Sequence, residues 1–156
     1  MSESRPTRIH WRPTVTKHRL SSQDRRFRRD FEAGRCSPES FDHRAHVRLA
    51  YVYLAERDVD TALALIREAL LGFLRHHGID PSKYHETMTR AWVLAVRHFL
   101  EMSPEAESAD QFIDHNPTLL DSRIMLTHYS AELLFSPQAR AEFVDPDLDE
   151  IPRYDP

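Results

Sequence analysis

The sequence predicts an all-α fold: an antiparallel four-helix bundle with short extra helices and irregular terminal extensions. Three observations support this prediction. Apolar residues recur at helical spacing in several long segments. The chain has only 3 glycines, which argues against a β fold rich in tight turns. The connections between the helical segments are mostly short, which favours antiparallel neighbours. A chain of 156 residues fits one domain with a single core.

The first expected elements are marked by stop signals. A short helix over about 22–33 ends at Gly34, and the first core helix follows over about 40–56. The second core helix, over about 58–77, has the strongest apolar stripe of the chain, and Gly78 supplies its C-terminal stop. These segments are therefore expected to form the first half of the bundle.

The later elements are marked by prolines and by the width of their apolar faces. The third core helix, over about 82–102, is apolar along two adjacent stripes, as expected for a central bundle member. The connector that follows it contains a short helix at about 109–115. Asn116-Pro117 begins the fourth core helix, over about 117–135. The acidic segment 145–156 is punctuated by proline and reads as loop or disorder.

Composition excludes several classes of protein. Only Cys36 carries a thiol, so neither a disulfide framework nor a cysteine-based zinc finger can form, and this usage fits a reducing cytoplasm. No stretch approaches the roughly 20 apolar residues that span a bilayer, and the polar, Arg-rich N-terminus does not resemble a secretory signal. We therefore expect a cytoplasmic protein with no membrane partner.

The charge is distributed unevenly over three predicted regions. These are a basic N-terminal extension at 1–30, a helical metal-binding domain at 31–144 and an acidic tail at 145–156. The first holds nine Lys and Arg residues against three acids, although the net charge is −4. Such an arm can bind nucleic acid, but the body has no basic face and the arm contains Trp11. The sequence therefore favours an arm that packs against the acidic body over a nucleic-acid partner.

Five residues are candidate metal ligands: His43, His46, His85, Glu86 and His128. Each lies in an expected helix with its side chain toward the apolar side, where an imidazole or carboxylate is costly to bury without a partner. A transition-metal ion is the simplest partner that three helices can share. The predicted ligand set is His46, His85 and His128, completed by His43 or Glu86.

Each candidate ligand also has a role that needs no metal. As an alternative, His43 is a histidine at a helix N-terminus and His46 is a core histidine with a local partner. His128 reads as a buried neutral histidine that donates to a backbone carbonyl. Glu86 can be a ligand, a residue that orients a ligand, or a general base. Because there are five candidate ligands, the sequence is also compatible with a centre that holds two metal ions.

Three motifs resemble a family of small, uncharacterised bacterial all-α proteins. They are an HxxH motif in Phe41–Ala50, a YHET motif that begins at Tyr84 and an HYS motif that begins at His128, in this order over about residues 31–147. The resemblance implies that the HxxH and YHET segments form one site, and it implies no particular reaction or cofactor. Three histidines inside a four-helix bundle are also similar in architecture to the DinB-like metalloproteins, although a shared fold does not establish function.

The function predicted from these residues is a small metal-dependent enzyme, in the first place a non-haem oxidoreductase acting on a small organic substrate at a mononuclear site. Iron or copper would bind oxygen or substrate at an open position. Zinc would lower the pKa of a bound water toward about 7 and give a hydrolase with Glu86 as proton acceptor. Glu86 and Tyr84 are the candidate catalytic residues, and Tyr51, Tyr53 and Trp92 are expected beside Tyr84 at the pocket rim.

Other interpretations remain open from the sequence. One is a non-catalytic metal- or haem-binding protein, and another is an interaction module whose Arg-rich arm binds a partner. Ligand type leaves the ion open among Fe, Cu and Zn. The sequence is also compatible with a homo-oligomer.

Overall fold

The computed structural model describes residues 18–154, which are mostly helical and, over that range, contain no strand. This confirms the predicted all-α class. Residues 1–17 of the predicted basic extension, Trp11 among them, lie outside the described residues. The α-helices are α1 (Ser22–Glu32), α2 (His43–Leu54), α3 (Val59–His76), α4 (Glu86–Met102), α5 (Ala109–His115), α6 (Met125–His128), α7 (Ala131–Leu134) and α8 (Pro137–Ala141). Short 3₁₀ turns lie at Pro38–Ser40, Pro81–Lys83 and Pro117–Leu120.

Local capping explains where the first three helices begin and end. The side chains of Ser21, Asp42 and Asp58 accept hydrogen bonds from backbone N–H groups in the first turns of α1, α2 and α3. These bonds satisfy donors that a helix start leaves unpaired. Gly34 and Gly78 have positive φ and follow the ends of α1 and α3, a conformation that glycine adopts at low cost.

The main core lies where α2, α3 and α4 pack on one another, with α1 against α2 and α3. Every side chain of α2 from Leu49 to Leu54 is buried, so this helix is covered on all sides, as a central element is. None of the helices in the described range combines the length and the hydropathy that crossing a bilayer requires.

A second apolar cluster fastens the C-terminal segment to α4. Thr87 Oγ1 donates to the carbonyl of Glu142 at 2.9 Å, and the N–H of Val144 donates to Thr87 Oγ1 at 3.1 Å. The Tyr129 hydroxyl donates to the carbonyl of Val144 at 2.7 Å. The segment after α8 is a loop, as expected, but one whose Ile151 is buried. The buried members of the cluster are Ala91, Leu94, Ala95, Met125, Tyr129, Leu134 and Ile151.

The predicted fourth core helix over about 117–135 is wrong. The backbone is extended at Asp121 and at Tyr129, which separates a 3₁₀ turn, α6 and α7. Asp121 Oδ1 accepts from the N–H of Arg123, and Ser130 Oγ accepts from the N–H of Leu133. Such local side-chain bonds compete with a continuous helix. The antiparallel four-helix bundle is therefore not confirmed.

The described part of the basic extension pairs with acidic side chains of the body. Arg25 and Arg28 lie 3.3 and 3.2 Å from the carboxylate of Glu56, and Arg19 lies 3.8 Å from Glu105. These pairs are partly or largely exposed, so each contributes little to stability.

Candidate functional site

A cavity of about 290 Å³ lies among α2, α3, α4 and the 3₁₀ turn that precedes α4. Its size is near the lower end of the roughly 300–1,000 Å³ found for small-molecule sites. The apolar lining residues are Phe41, Leu49, Ala50, Ile66, Leu70, Phe73, Leu74, Met88, Trp92 and Val93, and the polar ones are His46, Lys83, Tyr84, His85 and Thr89. Two predicted metal ligands and two predicted rim residues therefore border one cavity.

Each helix contributes residues from one face. On α3 the lining residues are spaced as i, i+4, i+7 and i+8 from Ile66, and on α2 they are spaced as i, i+3 and i+4 from His46. The same spacing places residues on one side of a helix. The cavity is therefore a space between three helical faces, and its residues are defined by helical phase.

His46 lines this cavity and has one ring nitrogen without a partner among the described residues. Its Nδ1 lies 2.8 Å from the carbonyl oxygen of Asp42, which can only accept, so Nδ1 carries the proton. The ring stacks on Phe41 with 3.9 Å between centroids. The residue is exposed at the cavity mouth, yet the surrounding walls remove enough water to lower its pKa. At neutral pH its Nε2 is therefore a hydrogen-bond acceptor, with no partner among the described residues.

His85 is the N-terminal cap of α4 and uses both ring nitrogens. Nδ1 accepts from the N–H of Met88 at 3.0 Å, and Nε2 donates to the carbonyl of Leu134 at 2.7 Å. This pattern fixes the neutral tautomer with its proton on Nε2, and burial lowers the pKa of the ring. His85 was expected inside the helix, but its backbone is extended.

Glu86 is the first residue of α4 and binds Arg67 of α3. Arg67 Nε donates to Oε2 at 2.9 Å, a second Arg67 nitrogen donates to Oε1, and the Tyr84 hydroxyl donates to Oε2 at 2.6 Å. Burial alone would raise the pKa of Glu86, but the bonds from Arg67 and Tyr84 outweigh it and lower the pKa. Burial raises the pKa of Tyr84 to about 12. The ionised carboxylate thus orients Tyr84 in the cavity wall.

The two remaining candidate ligands lie outside the cavity lining. His43 Nε2 donates to the carbonyl of Leu119 at 2.9 Å, and its ring meets Trp92 edge-on. His128 Nδ1 donates to the carbonyl of Asp149 at 2.7 Å. Each of these imidazoles therefore has its own backbone partner in a different segment.

Across residues 18–154, no group of three or more His, Cys, Asp or Glu side chains is arranged to hold a metal ion. Metal ligation by His85 requires the loss of one of its two hydrogen bonds, and His128 lies apart from the cavity. The donor set in this structure therefore does not fit the mononuclear centre expected from the sequence. The metal itself stays a prediction.

Two of the expected rim residues are wrong. The Tyr51 hydroxyl donates to the carbonyl of Arg19 at 2.6 Å, and the Tyr53 hydroxyl donates to Glu32 at 2.5 Å. Neither lines the cavity. Tyr51 is rotated away from the face of His46 on α2, whereas Tyr53 shares that face but lies two turns further along the helix, where it bonds to Glu32 of α1. Sequence reasoning also missed Lys83 and Thr89 in the lining, although both flank the YHET motif that it singled out.

Comparison with known proteins assigns no family. No family model, curated protein or solved structure matches the chain. The geometry of the cavity is therefore the basis for a functional proposal.

Proposed function

We propose that the protein binds a small, mainly apolar organic molecule in the cavity among α2, α3 and α4, with a hydrogen bond to His46. The observation that carries this proposal is the neutral imidazole of His46, a lining residue of the apolar cavity whose Nε2 has no partner among the described residues. A few placed polar groups in an apolar wall are typical of ligand sites. The same nitrogen can accept a proton from a bound substrate.

The shape of the wall favours a planar ligand. Phe41, Phe73 and Trp92 contribute aromatic side chains to the lining, and leucine, isoleucine, valine and methionine side chains fill most of the rest. Burying an apolar ring against such a wall is favourable by roughly 25 cal/mol per Å². The hydrogen bond to His46 then selects ligands that carry a donor.

Indole is a suitable probe, since it is planar and its N–H can donate to Nε2 of His46. We expect indole to bind the full chain, as followed by calorimetric titration. Leu70→Trp should fill the cavity and abolish binding. The matched variant Leu71→Trp, one position along α3 and outside the lining, should retain it. Thermal unfolding of both variants establishes that they fold.

Benzothiophene serves as the control ligand because it has nearly the same shape and lacks the N–H donor. It should bind roughly fivefold more weakly than indole, the effect of one hydrogen bond worth about 1 kcal/mol. Equal binding of indole by the Leu70→Trp and Leu71→Trp variants would contradict the proposed site.

The second candidate is the metal-dependent enzyme predicted from the sequence, a non-haem oxidoreductase or a zinc-type hydrolase with Glu86 and Tyr84 as catalytic residues. Its support is that His46 and His85 border the same cavity. It requires His85 to release Met88 or Leu134. We also keep as proposals the antiparallel arrangement of the core helices and the cytoplasmic location predicted from the sequence.

Metal analysis of tag-free protein purified without chelators distinguishes the two candidates. A stoichiometric ion that is lost in both His46→Ala and His85→Ala supports the enzyme. Metal-free protein that binds indole supports the first candidate and contradicts the second.

A further inference from the structure

We infer that the ligand of this cavity is a small carboxylate with an apolar, ring-containing body, and that its charged end lies beside Lys83 at the cavity mouth. This inference rests on the proposed function, because it specifies the ligand class of the same cavity. It follows from the sign of the charges around the lining.

The described lining contains no carboxylate. Its titratable residues are His46, Lys83, Tyr84 and His85. The Tyr84 hydroxyl donates to Glu86, which does not line the cavity, and both nitrogens of His85 are in use. A cationic ligand would therefore lose water without gaining a counter-charge. The lining accepts a neutral or an anionic polar group.

Lys83 carries a positive charge and forms no ion pair within the described residues. It is the last residue of the 3₁₀ turn Pro81–Lys83, and it is exposed. Its nearest acidic neighbour in the turn is Asp80, whose carboxylate accepts from the N–H of Ser82 at 2.9 Å. Lys83 can therefore bind a ligand carboxylate without breaking an existing pair.

Arg140 of α8 adds positive charge beside the same turn. Its guanidinium donates to the carbonyls of Ser82 and Lys83 at 3.1 and 3.4 Å. Within the described residues Arg140 forms no ion pair with a carboxylate. Arg140 therefore adds a second positive charge beside the turn that carries Lys83, and positive charge of this kind attracts anions.

The two parts of the site match the two parts of an amphipathic acid. The apolar faces of α2, α3 and α4 receive the ring, and the ammonium of Lys83 meets the carboxylate where water is still present. Because Lys83 is exposed, the ion pair contributes selectivity more than affinity, and salt weakens it.

The experiment compares three indoles that differ in the charge of the group on carbon 5: indole-5-carboxylate, indole-5-carboxamide and 5-(ammoniomethyl)indole. All three keep the ring N–H that can donate to His46. Each is titrated calorimetrically into the full chain at low ionic strength and neutral pH. We expect the indole carboxylate to bind about fivefold more tightly than the amide, and the ammonium compound to bind most weakly. Added salt should reduce the preference for the carboxylate.

Variants assign the preference to one residue. Lys83→Met keeps an apolar stem and should remove the preference for the indole carboxylate over the indole amide. Lys83→Arg should restore the preference for the carboxylate. Arg75→Met removes an exposed cation of α3 outside the lining, and it should leave this preference intact.

The outcomes separate this inference from the proposed function. If wild-type protein binds the indole amide and the indole carboxylate equally, and both compete with indole, the proposed site is supported and the preference for a carboxylate is overturned. An equal loss of the preference in Arg75→Met and Lys83→Met overturns the role of Lys83. If neither the substituted indoles nor indole bind, both proposals fail.

Discussion

His85 joins the first turn of α4 to α7, which lies 49 residues further along the chain. One ring nitrogen accepts from the N–H of Met88 and the other donates to the carbonyl of Leu134. A neutral imidazole has one donor and one acceptor, so it can satisfy both groups without bringing a charge into a half-buried position. Protonation removes the acceptor and breaks the cap.

The free energy of unfolding should therefore fall as pH falls below about 6.5. The folded-state pKa of His85 is lowered, chiefly by burial. Its contribution is fully present above the unfolded pKa near 6.5 and is lost as pH falls through the folded value. His85→Asn keeps an acceptor at the cap position. In urea unfolding, the free energy of unfolding of this variant should depend less on pH than that of the wild type. An unchanged slope would contradict the assignment, since His46, whose pKa is also lowered, would then explain all of it.

The pair formed by Arg67 and Glu86 gives a second prediction at this scale. Their side chains are 39% and 14% exposed, so water screens the pair only partly. Glu86→Gln should lower the free energy of unfolding by about 1–2 kcal/mol. The double variant Arg67→Met/Glu86→Gln should lower the free energy of unfolding by less than the sum of the two single variants, because each single variant removes the same interaction. Arg123→Met is the control, because the arginine of this pair is 82% exposed. It should change the free energy of unfolding by less than about 0.5 kcal/mol.

If Arg67→Met and Glu86→Gln lower the free energy of unfolding additively in the double variant, the two side chains do not interact in solution. The double-variant cycle is the appropriate measurement because each single substitution also leaves its partner unpaired.

Among the elements, α1 is held in place by one buried carboxylate. Asp24, 0% exposed, accepts from the N–H of Ser21 at 3.0 Å, from Arg48 of α2 at 3.1 Å and from the N–H of Ala109 at the start of α5 at 3.0 Å. Its two oxygens therefore complete a helix cap and connect three helices. A buried charge is tolerated when it is paired and hydrogen-bonded in this way.

Asp24→Asn should lower the free energy of unfolding by about 3 kcal/mol. The amide keeps one acceptor but places a donor against backbone N–H groups, and it leaves Arg48 without its carboxylate. Asp30→Asn is the matched control on the same helix, since its pair with Arg35 is largely exposed, and it should cost less than about 1 kcal/mol. Equal effects in guanidinium unfolding would contradict this role of Asp24.

Helix positions were predictable from the sequence where caps and apolar stripes agree. The expected range 109–115 is the observed α5, and Gly34 and Gly78 follow the ends of α1 and α3 as expected. The prediction for segment 117–135 failed because the helical spacing of its apolar residues outweighed two local signals. Asp121 bonds to the N–H of Arg123, and Ser130 caps α7.

The candidate site was predictable only in part. The sequence grouped His46 with His85, and both border the cavity. It could not show that their partners are backbone carbonyls, because a carbonyl acceptor carries no residue-specific signal. For the same reason His43 and His128 looked equivalent to His46, although Leu119 and Asp149 satisfy them outside the cavity.

For the whole molecule, the cavity exists because three helices leave a space that their side chains do not fill. The faces of α2, α3 and α4 are apolar at helical spacing, and the 3₁₀ turn before α4 places Lys83 at the same opening. Binding of a ligand should raise the melting temperature, by an amount that grows with the logarithm of the ligand concentration divided by its dissociation constant. Stability and function are therefore linked through the same three helices.

A long-range ¹H–¹⁵N NMR spectrum of the histidine side chains, recorded with and without indole, tests the central claim most directly. At about pH 7.5 we expect His46 to be neutral with its proton on Nδ1, and its Nε2 resonance to shift when indole is added. The resonances of His85, with its proton on Nε2, should keep their tautomer pattern. A His46 protonated on Nε2, or an Nε2 resonance that saturating indole leaves unchanged, would contradict the claim that this nitrogen faces a ligand.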